Sequence, residues 1–192
     1  MKSTVFGTVM ACLAAAGAAQ AQNTTACSAS QINDIGWAQS QIAGRIDGAL
    51  NFVADTPHYV LWFGAYDAGR AATVRSNLET IRSQALISQP AYTCMPQGQG
   101  ACSPGTLAYL IAGTSFEVTL CDAFFSQVGA QQDSAWGTLL HEFSHFAIGP
   151  ETDDHCYGDI GPNRCLALAR NDPDTAIDNA DNYQYFVERS PL

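Results

Sequence analysis

His141-Glu142-Phe143-Ser144-His145 is an H-E-x-x-H sequence inside an apolar stretch that begins near Ser134 and ends at Ile148, before Gly149-Pro150. Its length and periodicity predict a helix. At about 100° per residue, His141 and His145 sit about 40° apart, so both imidazoles can reach one ion. Trp136, Leu139, Leu140, Phe143, Phe146 and Ala147 cluster on a face centred about 180° away. The core is therefore expected behind the helix, with the histidines facing a cleft. Glu142, turned about 100° from His141, is placed to reach a water beside such an ion without being a ligand itself.

A catalytic zinc needs a third protein ligand and an open fourth position. A histidine six residues beyond His145 would fall on Glu151, so that spacing is not available. The segment Thr152-Asp153-Asp154-His155-Cys156-Tyr157-Gly158 offers Asp153, Asp154 and His155. Spacing alone does not choose among them.

Outward from this motif, residues 29 to 54 read as a helix, with Ile32, Ile35, Trp37, Ile42, Ile46, Leu50 and Val53 in helical phase and Thr56-Pro57 as its stop. A second helix is predicted from Ala65 to Leu86, carrying Val74, Leu78, Ile81 and Leu86. Residues 89 to 105, rich in proline, glycine and cysteine, read as a stapled loop. Leu107 to Ala112 and Phe116 to Cys121 are β-rich runs around Gly113-Thr114-Ser115, a predicted hairpin. Short helices are expected near Pro162 and Pro173. Helices around a small antiparallel ribbon give the class α+β, mostly helical, with an H-E-x-x-H active-site helix.

The N-terminus reads as a secretory leader. Lys2 supplies the positive region, Val5 to Ala18 the apolar one, and Ala19-Gln20-Ala21 the cleavage site. Residues 1–21 are thus expected to be a signal peptide and 22–192 a single domain, secreted to the extracellular space. A sequon, Asn23-Thr24-Thr25, lies almost on the cleavage site. Cys27 follows within a few residues, which leaves no room for a long propeptide. Six cysteines remain after the leader: Cys27, Cys94, Cys102, Cys121, Cys156 and Cys165. An even count in an oxidising compartment suggests three bridges, and the lack of any C-x-x-C pair argues against a thiolate zinc site.

Hydrophobic residues make up 47% of the chain and charged ones 14%, a folded globule. The formal charge of −10 disfavours nucleic acid and anionic membrane surfaces as partners and favours cationic substrates. Lys2 is the single lysine, while seven arginines are present. No G-x-S-x-G occurs, and His58 has no evident partner in the sequence, which disfavours a serine hydrolase.

The chain resembles the aspzincin metalloendopeptidases, most closely the fungal peptidyl-Lys metalloendopeptidases and more distantly the deuterolysins. The resemblance covers essentially all of residues 22–192. It rests on Cys27-Ser28-Ala29-Ser30, Trp62-Phe63-Gly64, Pro104-Gly105-Thr106-Leu107-Ala108-Tyr109 and Leu120-Cys121-Asp122-Ala123-Phe124-Phe125. Gly137-Thr138-Leu139-Leu140-His141-Glu142 and Asn179-Ala180-Asp181-Asn182 complete it. It implies a zincin-like fold and one zinc per chain held by His141, His145 and Asp154. It implies Glu142 as general base and Tyr157 as the residue beside the oxyanion. It also implies the bridges Cys27–Cys94 and Cys102–Cys121, leaving Cys156 with Cys165.

Lysine-specific members carry an aspartate and a glutamate three residues apart, which together receive the lysine after the scissile bond. The matching residues are Asp181 and Gln184. A glutamine accepts a hydrogen bond from an ammonium but contributes no charge, so lysine preference is expected with reduced force. Asp181-x-x-Gln184 is also a capping-box pattern that could start the last helix. Residues 95 to 101 form a longer Gly/Gln loop than the family's cysteine spacing leads one to expect. The resulting expectation is a secreted, monomeric zinc endopeptidase acting on proteins or peptides, on the amino side of lysine, with arginine or relaxed specificity as the weaker reading. The alternative is a non-catalytic zinc-binding surface antigen, metal scavenger or effector on the same scaffold, which would need neither Glu142 nor Tyr157.

Overall fold

In a computed structural model that describes residues 24–87, 90–111, 116–146, 151–158 and 164–191, the chain starts with a short strand β1 (Thr24–Thr25). Helix α1 (Ala29–Ala49) follows, set by a capping box: Ser28 Oγ accepts from the Gln31 N–H, and Gln31 Oε1 accepts from the Ser28 N–H. Its stripe of Ile35, Ala38, Ile42, Ile46 and Ala49 is fully buried. Trp37, expected on that stripe, lies off it and is partly exposed. After Ala49 the chain tightens into a 3-10 turn, Leu50–Phe52, so the helix ends earlier than its apolar pattern suggests.

Thr56-Pro57 is a beginning as well as a stop. Thr56 Oγ1 accepts from the Tyr59 N–H, and Pro57 occupies the first turn of helix α2 (Pro57–Phe63), where a missing N–H costs nothing. His58, unpartnered in the sequence reading, stacks on Phe186 with its Nε2 2.8 Å from the Phe186 carbonyl. Helix α3 (Ala68–Ile87) buries Val74, Leu78 and Ile81 but leaves Leu86 exposed.

The ribbon expected to be antiparallel is a mixed sheet. Strands β2 (Ala91–Met95), β3 (Ala108–Tyr109) and β4 (Glu117–Cys121) join β1 in the order β1-β2-β4-β3. Both β1–β2 and β2–β4 run parallel, and only β3–β4 is antiparallel. The physical reason is β2, which sits inside the stretch read as a loop. Helices α1 to α3 carry the chain back from β1, so β2 enters alongside it in the same direction. The turn expected at Gly113-Thr114-Ser115 and the leader expected at residues 1–21 lie outside the described residues. Cys27–Cys94 ties the start of α1 to β2, and Cys102–Cys121 ties the following loop to β4.

Helix α4 (Asp122–Phe125) leads to α5 (Ala135–Ser144), whose N-cap Ser134 accepts from the Gly137 N–H. All ten residues of α5 are buried, more than an amphipathic surface helix would allow. The helix ends at Ser144, with His145 as its C-cap and Phe146 beyond it, earlier than the expected run to Ile148, whose last residues lie outside the described ones. Helices α6 (Cys165–Asn171), α7 (Pro173–Ala176) and α8 (Ala180–Glu188) close the domain. Asp172 caps α7 as expected near Pro173, whereas Pro162 is outside the described residues. Helix α8 packs on α5 so closely that a side chain on Gly137 would collide with the Glu188 carboxylate. Among the described residues no helix is long and apolar enough to cross a membrane.

Candidate active site

Helix α5 delivers His141 and Glu142 from its last turn, and His145 stands at its C-cap. The Nε2 atoms of the two histidines lie 3.1 Å apart. Asp154 Oδ1 is 3.2 Å from His141 Nε2 and 3.4 Å from His145 Nε2. Of the three donors that spacing left open, Asp154 is thus the one that joins the histidines. Asp153 and His155 point elsewhere and gather with Asp178 on the exposed surface.

Each imidazole is fixed by its far nitrogen. His141 Nδ1 is 2.6 Å from Asp181 Oδ1, and His145 Nδ1 is 2.6 Å from the Thr152 carbonyl. A carbonyl can only accept, so His145 carries its proton on Nδ1 and presents a bare Nε2; the Asp181 carboxylate asks the same of His141. Three lone-pair donors therefore converge on one point, with outer partners of the kind that orient metal ligands. In the metal-free protein, burial opposes a proton on His141, but hydrogen bonds to Asp154 and Asp181 outweigh it and lift its pKa to about 10. Burial would raise Asp154, yet the two histidines hold its carboxyl far below the usual range. The cluster thus demands positive charge, and two imidazoles with one carboxylate are the donor set of a hydrolytic zinc.

Glu142 is 5% exposed and lines the same cleft, and its carboxylate has no hydrogen-bond partner among the described residues. Burial raises its pKa, with His141 and His145 acting in the opposite sense. That environment suits a group that must take up and release a proton. Tyr157 is 54% exposed, its ring stacks over His141, and its hydroxyl donates to Asp154 Oδ2 at 2.6 Å.

The ligand segment is held from below. Asn179, completely buried at the N-cap of α8, accepts from the N–H groups of His155 and Cys156 at 2.7 and 2.9 Å. Its amide donates to Asn182 Oδ1, and Asn182 in turn donates to the Trp62 carbonyl. The Cys156–Cys165 bridge pins the same segment to α6. Asn179 and Asn182 were legible only as part of a resemblance, and nothing in the sequence marks Thr152 as a histidine's partner. The capping-box reading of Asp181 does not hold: Asn179 is the N-cap, and Asp181 turns to His141 and to the Gly158 N–H at 2.7 Å. Gln184 is buried beside it, and both line the cleft of 1610 Å³ that runs past Glu142.

A helix with two converging imidazoles, a carboxylate from a later loop and a free glutamate beside them defines a metal-dependent hydrolase. Residues 50–188 match the family model of the M35 aspzincins, described as lysine-specific metallo-endopeptidase. The chain is 38% identical over 170 residues to a peptidyl-Lys metalloendopeptidase of Pleurotus ostreatus, covering 86% of this chain and 95% of that protein. It is 34% identical to an extracellular protease of Aeromonas hydrophila, covering 86% of this chain but 46% of that protein. It thus spans just under half of the Aeromonas relative. A solved zinc peptidase from Grifola frondosa superposes with a TM-score of 0.75 at 34% identity, over 86% of this chain and 99% of that one. The chain belongs to the aspzincin M35 metalloendopeptidase family.

Proposed function

We propose that this protein is a secreted, monomeric zinc endopeptidase that cuts proteins or peptides on the amino side of basic residues, lysine ahead of arginine. The observation that carries the reading is the convergence of His141 Nε2, His145 Nε2 and Asp154 Oδ1 beside a buried Glu142 whose carboxylate has no partner among the described residues. A metal scavenger would need neither Glu142 nor Tyr157. The leader at residues 1–21 and the three bridges support export. The negative charge of the chain supports basic substrates over nucleic acid or anionic membranes.

His141, His145 and Asp154 would hold one zinc per chain, and zinc so held supplies Lewis-acid polarisation of a scissile carbonyl and of water. Glu142 takes the proton of the attacking water and carries it to the leaving amine. Tyr157, half exposed, can turn its hydroxyl from Asp154 Oδ2 to the developing oxyanion. Asp181 keeps His141 oriented and adds negative charge to the pocket where a basic side chain would sit, next to Gln184. Zinc analysis of the purified protein, with cleavage-site mapping on a mixed peptide library, tests the reading. Stoichiometric zinc and cuts before lysine and arginine are expected; zinc without any cleavage would overturn it.

A further inference from the structure

Thr138 lies on α5 one turn before His141 and Glu142, so the three side chains share the face that lines the cleft. It is 5% exposed, and its Oγ1 is buried with no hydrogen-bond partner among the described residues. Buried hydroxyls are seldom left so, and a helical threonine ordinarily returns its hydroxyl to the carbonyl one turn back. Here that bond is not made. The hydroxyl is held in reserve at the wall of a substrate cleft.

Other residues that line the same cleft say what kind of ligand would use it. Gln184 turns its Nε2 to Glu188 Oε1, at 3.5 Å, which leaves the amide carbonyl oxygen without a partner among the described residues. Asp181 has one oxygen on His141 and the other on the Gly158 N–H. The cleft therefore offers two uncharged acceptors, Thr138 Oγ1 and Gln184 Oε1, backed by the carboxylates of Asp181 and Glu188. Three tetrahedral N–H donors on a compact ammonium match separate single acceptors. A planar guanidinium wants a carboxylate fork, which neither group supplies.

We propose that Thr138 is a specificity residue that contacts the substrate: its hydroxyl accepts a hydrogen bond from the side-chain ammonium of the residue after the scissile bond, with the Gln184 carbonyl as second acceptor. This rests on the reading that cleavage occurs before basic residues. The Thr138 contact adds a hydrogen bond at a site where Gln184 supplies no charge.

The test uses the zinc-loaded enzyme and a peptide set identical except after the scissile bond, where lysine, arginine or norleucine stands. Norleucine keeps the lysine stem and lacks the ammonium. Thr138→Val keeps the branched shape and removes the hydroxyl. It should lower the lysine-to-norleucine ratio of kcat/KM about tenfold, the order of one charge-assisted hydrogen bond, with norleucine cleavage and zinc content unchanged. Thr138→Ser should restore the ratio, and Thr138→Ala should repeat the loss if the valine variant folds poorly. An unchanged ratio in the valine or alanine variant overturns the proposal while wild-type lysine preference stands. Equal losses on lysine and norleucine assign Thr138 a packing role and overturn it too. Wild-type enzyme that treats lysine and norleucine alike overturns the specificity reading itself, before any variant is made.

Discussion

Asp181 Oδ1 lies 2.6 Å from His141 Nδ1 while Oδ2 accepts from the Gly158 N–H at 2.7 Å, so one buried carboxylate joins helix α8 to the active-site helix and to the loop carrying Tyr157. An aspartate placed by resemblance in the substrate pocket is therefore also the group that fixes the His141 imidazole, one of the proposed metal ligands. Asp181→Asn keeps the shape and removes the charge. Its amide can serve His141 or Gly158, but an NH2 then faces one of the two donors. Metal affinity should fall about 10- to 100-fold, as outer partners of ligating histidines typically cost, and the preference for basic residues should flatten. Chelator competition and peptide mapping read the two effects separately. If neither moves, Asp181 has no role in the site.

The choice of Asp154 over its neighbour has its own test. Asp154→Ala should abolish tight zinc binding while the three bridges keep the domain folded. Asp153→Ala should leave zinc in place, since the Asp153 carboxylate gathers with His155 and Asp178 rather than with the two histidines. Metal analysis after dialysis decides the matter, and equal loss from both variants would refute the ligand set.

Glu142→Gln spares every ligand and removes the base. Zinc content should stay at one per chain, while kcat falls by about 10²–10⁴-fold, the range of a lost acid–base group. Retained activity at the wild-type level would mean that another group moves the proton.

Gln184→Glu supplies the second carboxylate that lysine-specific members carry. It should sharpen discrimination of lysine from norleucine by about 1–2 kcal/mol, the order of one charge-assisted hydrogen bond. The new carboxylate would face Glu188, whose Oε1 is 3.5 Å from the present amide nitrogen. Two carboxylates that close share a proton, so the gain should be larger at pH 9 than at pH 6. A gain independent of pH would show that Glu188 does not feel position 184.

Local rules carried much of this structure. The H-E-x-x-H phase, the Ser134 start and the three cysteine pairs lie where spacing or resemblance put them. What escaped was non-local. Strand direction in β2 depends on where α1 to α3 return the chain, which no window of residues records. The Thr56-Pro57 pair both stops the preceding helix and starts α2, and the sequence pattern alone weighs toward the stop. Asn179 and Glu188 act through an amide and a carboxyl brought from distant segments, and Thr152 through a backbone carbonyl that any residue carries, so nothing in their own neighbourhoods marks them.

Glu188 gives the last expectation. Its carboxyl sits between α8 and the start of α5, accepting from Ser134 N and Oγ at 2.9 and 2.7 Å and from Asp133 N at 3.2 Å. Burial raises its pKa from 4.5 to about 7; the Ser134 hydrogen bonds oppose the rise, and the charge of Asp133 adds to it. The folded state thus binds the proton more tightly than the unfolded chain. This group favours folding most below pH 4.5, and its contribution declines as pH climbs to about 7, then levels off. At about 1.36 kcal/mol per pKa unit, the whole decline is on the order of 3 kcal/mol. Glu188→Gln cannot titrate, so its own cost is a constant offset. Urea unfolding of both proteins from pH 4.5 to 8 should show wild-type stability falling relative to the variant across that window, then running parallel to it. Two curves parallel throughout would mean that Glu188 ionises in the fold as easily as in water.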